Sequence, residues 1–125
     1  MKLSQEEING IVNMILEIIE VISNRKLHVD AWIKGLGSFG ADFDETVCLF
    51  FGAANPVVSD PQSYGLSEEE SQILKKFSDE FDYFCDEHSS WPPFFIDTPA
   101  WAKIMDRAKE VLEVFNYQKH DEDKA

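Results

Sequence analysis

The sequence predicts an all-α domain, a compact bundle of four to five helices, and three observations predict it. Two stretches carry a capping box, Ser4 with Glu7 and Ser67 with Glu70. In that pattern a serine and a glutamate three residues apart each accept the other's free backbone amide at a helix start. After each box, apolar residues recur at the i, i+3, i+4 spacing of one helix face. Most of the glycines and prolines fall between the apolar runs, where they punctuate helices. At 125 residues, 44% of them hydrophobic, the chain suffices for one core, so residues 1–125 read as a single domain.

The first helix starts at the Ser4 cap and runs to about Ser23. Leu3 and Ile8 stand where a hydrophobic staple closes over the cap. Ile8, Ile11, Val12, Ile15, Leu16, Ile18, Ile19 and Ile22 share one broad face, with Asn9, Asn13, Glu17 and Glu20 opposite. A stripe this wide implies contact with more than one neighbour. Asp30 can cap a short turn through Ala31, Trp32 and Ile33, and Gly35, Gly37 and Gly40 then mark a loop. Asp42 and Glu45 repeat the capping geometry, and Val47, Phe50, Phe51 and Ala54 keep helical spacing, which predicts a helix from Phe43 to Ala54 ended by Pro56. The run VCLFF also fits a buried strand, since five apolar residues do not separate the two. Pro56 to Leu66 reads as a loop.

The Ser67 box opens a helix to about Asp86, with Ile73, Leu74, Phe77, Phe81, Phe84 and Cys85 on its apolar face. HSSWPPFFID reads as a loop, because Pro92 and Pro93 forbid continued helix. Asp97 or Thr98 caps the last helix, with Pro99 near its first position. Trp101, Ile104, Met105, Ala108, Val111, Leu112 and Phe115 line its buried side, and residues 120–125 read as a frayed polar tail.

Charge narrows the function. Twenty-four acids against 11 bases give a formal charge of -13, a field that repels nucleic acid and anionic membrane and attracts basic partners. The apolar run Ile11 to Ile22, broken by Asn13, Glu17 and Glu20, is too short to span a bilayer. The N-terminal MKLSQEEING has acids where an export signal has bases, so the expected location is cytoplasmic. Cys48 and Cys85 lie in apolar surroundings and read as reduced core residues.

Signatures of chemistry are missing. Cys85 and His88 share a helical phase, as zinc ligands can, but have no second pair at ligand spacing. Asp42, Asp44 and Glu45 open like a calcium loop that lacks its later glycine and glutamate. The glycines miss the dinucleotide spacing, and His28 has Asp30 nearby but no evident nucleophile. The expectation is therefore a binding protein and not an enzyme, with no cofactor and no metal.

The segment DEFDYFCDEHSSWPPFFIDTP, residues 79–99, sets six acids among six aromatic rings. On a helical wheel Ile73, Phe77, Phe81 and Phe84 turn inward, while Asp79, Asp82, Tyr83 and Asp86 turn to solvent with Glu87 at their edge. Lys75 and Lys76 can offset Asp79 and Glu80 at i, i+4, but no base lies one turn from Asp82, Asp86 or Glu87. Those acids also sit at the negative end of the helix dipole. Behind them, the proline-stiffened loop can turn Phe95 and Ile96 inward and Trp91 or Phe94 outward. Acids beside exposed rings suit a basic protein partner, since charge speeds the approach and apolar burial holds the complex. The candidate contact residues are Asp79, Asp82, Tyr83, Asp86, Glu87, Trp91 and Phe94.

Across residues 67–95, the motif SEEESQILKKFSDEF…DEHSSWPPFF resembles the small acidic helical immunity proteins that neutralise nuclease colicins. Members of that family share a Ser-Glu-Glu-Glu cap on an acidic helix and a serine-containing loop leading to paired aromatics beside proline. The order differs here, with Pro92 and Pro93 ahead of Phe94 and Phe95. The resemblance implies an acidic surface that binds a basic nuclease toxin beside its active site and blocks substrate. A nucleic-acid mimic acting on a DNA-binding protein and a secretion chaperone are the other classes consistent with this charge.

Overall fold

Ser4 and Ser67 cap their helices through reciprocal bonds. The Ser4 hydroxyl accepts from the Glu7 amide at 3.1 Å and the Glu7 carboxylate accepts from the Ser4 amide at 2.8 Å; the matching distances at Ser67 and Glu70 are 3.1 and 2.9 Å. The computed structural model describes residues 3–24, 28, 43–88 and 92–117. The expected Asp30 turn, the glycine loop, the Asp42 cap, Trp91 and the tail lie outside the described residues.

Among the described residues, four long helices carry the fold: α1 (Gln5–Ile22), α2 (Phe43–Ser59), α3 (Glu68–Glu87) and α4 (Pro99–Val114). A 3-10 turn at Pro61–Tyr64 joins α2 to α3, and a single helical turn at Pro92–Phe95 lies between α3 and α4. The helices neighbour one another in a ring, α1 on α2, α2 on α3, α3 on α4 and α4 on α1, which makes an all-α four-helix bundle. The broad stripe on α1 follows from that ring, since it must cover both α2 and α4. Ile15, Leu16, Ile18, Ile19 and Ile22 are buried on it, while Ile11 and Val12, one turn nearer the end, are half-buried.

Aromatic rings fill the middle. Trp101 is fully buried, with the rings of Phe95, Phe84 and Phe43 centred 5.0, 5.2 and 5.8 Å away. Phe50, Phe77 and Phe81 extend the cluster between α2 and α3, Phe50 meeting Phe77 edge to face at 5.3 Å. VCLFF is helical, so the strand alternative falls, and α2 runs past Pro56 to Ser59 rather than stopping at Ala54. Proline removes the amide that would bond to the Gly52 carbonyl. Both residues lie on the exposed side, where water can take up that carbonyl, and the continued turn buries Val57. The same geometry corrects Cys48: α2 buries Phe43, Thr46, Phe50 and Ala54, which turns Cys48 and Leu49 to solvent.

The expected loop 56–66 is accordingly shorter, with Gly65 at a φ of 74° closing the 3-10 turn. Within HSSWPPFFID, α3 stops at Glu87 with His88 extended, and the two prolines begin a new helical turn instead of only ending the old one. Of the two possible caps for α4, Thr98 serves: its hydroxyl accepts from the Trp101 amide at 3.2 Å and donates to the Phe95 carbonyl at 2.7 Å. α4 ends with Asn116 at a φ of 54°, where the amides of Asn116 and Tyr117 return to the Glu113 and Leu112 carbonyls. Among the described residues, no helix is long and apolar enough to cross a membrane.

Candidate functional site

The C-terminal half of α3 divides sharply between its two sides. Phe77, Phe81 and Phe84 are buried at 3% exposure or less, and they fix the orientation of everything opposite them. On that opposite side Asp79, Asp82, Tyr83, Asp86 and Glu87 are all exposed, Tyr83 at 67%. Lys75 pairs with Asp79 at 3.0 Å, both side chains more than three-fifths exposed. Among the described residues no cation pairs with Asp82, Asp86 or Glu87, and the last turn of α3 carries no base. Glu80 departs from the expected Lys76 pairing, because α4 brings a better partner.

That partner is Arg107. Its Nε and Nη2 hydrogens donate to the two Glu80 carboxylate oxygens at 2.8 and 3.2 Å, and Nη1 donates to Glu110. The bonds to Glu80, then Glu110, hold the guanidinium charged above even its ordinary high value. Between α3 and α4, beside this pair, lies a half-open cleft of about 560 Å³. One end is charged, with Asp79, Glu80, Asp106, Arg107 and Glu110; the other is mainly apolar, with Tyr83, Phe84, His88, Ala100 and Ile104, and Lys103 stands between them. Asp79 and Tyr83 thus belong both to the predicted acidic face and to the cleft. The α4 wall escaped the sequence reading, although Ala100, Lys103 and Arg107 recur at i, i+3 and i+7.

At the end of α3 the rings take opposite places. Phe94 stands 71% exposed while Phe95 and Ile96 are buried, a division that the sequence allows but leaves open. The Thr98 hydroxyl pins the Phe95 carbonyl, and Phe95 packs edge to face on Phe84 at 5.3 Å, which anchors the turn that displays Phe94. His88 caps the same region, its ring stacked on Phe84 at 4.2 Å and Nδ1 donating to the Phe84 carbonyl at 3.1 Å. Trp91 lies outside the described residues.

Histidine and cysteine chemistry is muted. His28, fully buried, accepts from the Trp101 indole at Nδ1 (3.3 Å) and donates from Nε2 to the Val21 carbonyl (2.8 Å). An indole nitrogen can only donate, so Nε2 carries the hydrogen and both ring nitrogens serve structure. Cys85 is half-buried; burial first, then the carboxylates of Asp82, Asp86 and Asp44, pushes its thiol up to about 12. A thiol so disfavoured as thiolate makes a poor nucleophile and a poor zinc ligand. Among the described residues no group of three or more His, Cys, Asp and Glu stands where it could hold a metal ion. Comparison with protein-family models, curated proteins and solved structures finds no match to this chain.

Proposed function

We propose that the chain is a cytoplasmic inhibitor of a basic protein, most specifically the immunity protein of a bacterial nuclease-type toxin. The observation that carries this reading is the outer face of α3, where Asp82, Asp86 and Glu87 are exposed and make no ion pair among the described residues, and the Tyr83 ring stands in water at 67% exposure. Nucleases bind polyanions and present basic surfaces, so an acidic face meets them with a complementary field. Carboxylates draw the toxin in and set its register; exposed rings such as Tyr83 and Phe94 then lose water against it and slow its departure. Inhibition follows when the bound chain covers the surface that would take nucleic acid. The resemblance of residues 67–95 to colicin immunity proteins supports the same class.

The test is co-expression with any toxin-like domain that the gene directly upstream encodes. The expected result is restored growth, a one-to-one complex and loss of nucleic-acid cleavage in vitro. Cleavage that continues at full rate with the chain in several-fold excess would reject the proposal.

A further inference from the structure

We infer that the cleft between α3 and α4 is a docking groove for an amphipathic basic helix of the protein partner. The inference rests on the proposed function for the partner's charge, and on the cleft's own shape for the rest. Along α4 the lining runs from Ala100 to Glu110, roughly 15 Å at 1.5 Å per residue, which is about three turns of a helix laid beside it. Phe84 and Ile104, at 3% and 4% exposure, form an apolar floor at one end. At the other end four carboxylates, Asp79, Glu80, Asp106 and Glu110, outnumber the two cations of the lining, Lys103 and Arg107. Glu80 and Glu110 are engaged by Arg107 and Asp79 by Lys75, whereas Asp106 makes no ion pair among the described residues.

A helix that fits both ends presents an apolar side chain over Phe84 and Ile104 and, about one turn away, a lysine or arginine beside Asp106 and Asp79. A second copy of this chain, itself at -13, would bring like charge to the acidic end and is the poorer occupant.

The probe is a synthetic helical peptide with leucine and arginine four residues apart on one face, titrated into the full ¹⁵N-labelled chain. Amide shifts should cluster at residues 79–84 and 100–110. Replacing the peptide's arginine by glutamine, or its leucine by alanine, should each weaken binding at least tenfold. So should Ala100→Leu, which plugs the apolar end, and Asp106→Lys, an exposed change that leaves folding intact. Thermal melts of the free variants check the fold, and Asp106→Lys decides the matter if Ala100→Leu is unstable. Shifts confined to Asp82, Asp86 and Glu87, or variants that bind like the parent, overturn the groove. Toxin neutralisation that survives both variants removes the groove but keeps the inhibitor reading, whereas a filled groove without neutralisation removes only the latter.

Discussion

Phe94 and Phe95 are adjacent and chemically identical, yet the structure assigns them opposite consequences when cut to alanine. Phe95 is 1% exposed, with the rings of Phe43, Trp101 and Phe84 centred 4.8, 5.0 and 5.3 Å away. Truncating a phenylalanine held on three sides costs ~3–5 kcal/mol, the transfer of the ring plus the cavity it leaves. With a urea slope of about 1.5 kcal/mol/M, Phe95→Ala should lower the unfolding midpoint by roughly 2–3 M. Phe94 already stands 71% in water, so Phe94→Ala should stay within ~0.5 kcal/mol of the parent, roughly a third of a molar in midpoint. Circular dichroism and tryptophan fluorescence followed through urea give both midpoints. Binding reverses the order if Phe94 is an anchor: its loss should speed dissociation from the basic partner about thirtyfold, equivalent to ~2 kcal/mol. Equal midpoint shifts for the two variants would refute the assignment of Phe94 to the surface.

Charge reversal of the outer face, Asp82→Lys with Asp86→Lys, should slow association and flatten its salt dependence in stopped-flow mixing, while the free protein holds or gains stability because lysine suits a helix C-terminus. A wild-type association rate at low salt would count against steering by these residues. Maleimide at pH 8 should label exposed Cys48 within minutes and leave Cys85, its thiol pushed up to about 12, largely unmodified in the folded state; peptide mapping reads both. Because folding favours the neutral thiol, its contribution is complete below the ordinary value of 9.0 and drains away as pH climbs toward 12, and Tyr117, raised by burial and Glu20, adds to that alkaline loss. The unfolding midpoint should therefore fall progressively above pH 9, and a flat profile from 9 to 12 contradicts the burial argument. A double-mutant cycle on Arg107→Gln and Glu80→Gln should give a coupling of ~0.5–1 kcal/mol that shrinks in 1 M salt, as expected for a partly exposed bidentate pair.

The legible parts of this fold are those settled by local chemistry. Capping boxes at Ser4 and Ser67 need only four residues, and the stripes on α1 and α3 repeat often enough to fix a phase. The acidic face was readable for the same reason, since the phase that buries Phe77, Phe81 and Phe84 must expose Asp82, Tyr83 and Asp86. Features set by a distant helix were not readable. Glu80 has Lys76 one turn away, but Arg107, 27 residues later, offers two oriented donors and takes it. The end of α2 depended on whether the carbonyl freed by Pro56 would face water, and the side of α2 that carries Cys48 depended on where α1 and α3 lie. The cleft needs both walls at once, so neither helix reveals it alone. In the sequence His28 has Asp30 nearby and no evident nucleophile; its role emerges only when α4 delivers the Trp101 indole to Nδ1.

The acids that close α3 run against their own helix. Placed at the negative end of the dipole, Asp86 and Glu87 each cost ~0.3–1 kcal/mol with no base in the last turn to offset them. The helix persists because its other side is anchored far more strongly: Phe84 touches Phe95 and Trp101, and His88 both stacks on Phe84 and bonds its carbonyl. That anchoring also holds the outer side chains on a rigid backbone before any partner arrives. Less ordering is then required on binding than a loop of the same composition would need. Stability and display are therefore supplied by different residues of one helix. Substitutions at Asp82, Tyr83 or Asp86 can change what the face attracts without touching the core, whereas a cut at Phe84 should weaken both, and it would do so by releasing the acids that its ring holds in place.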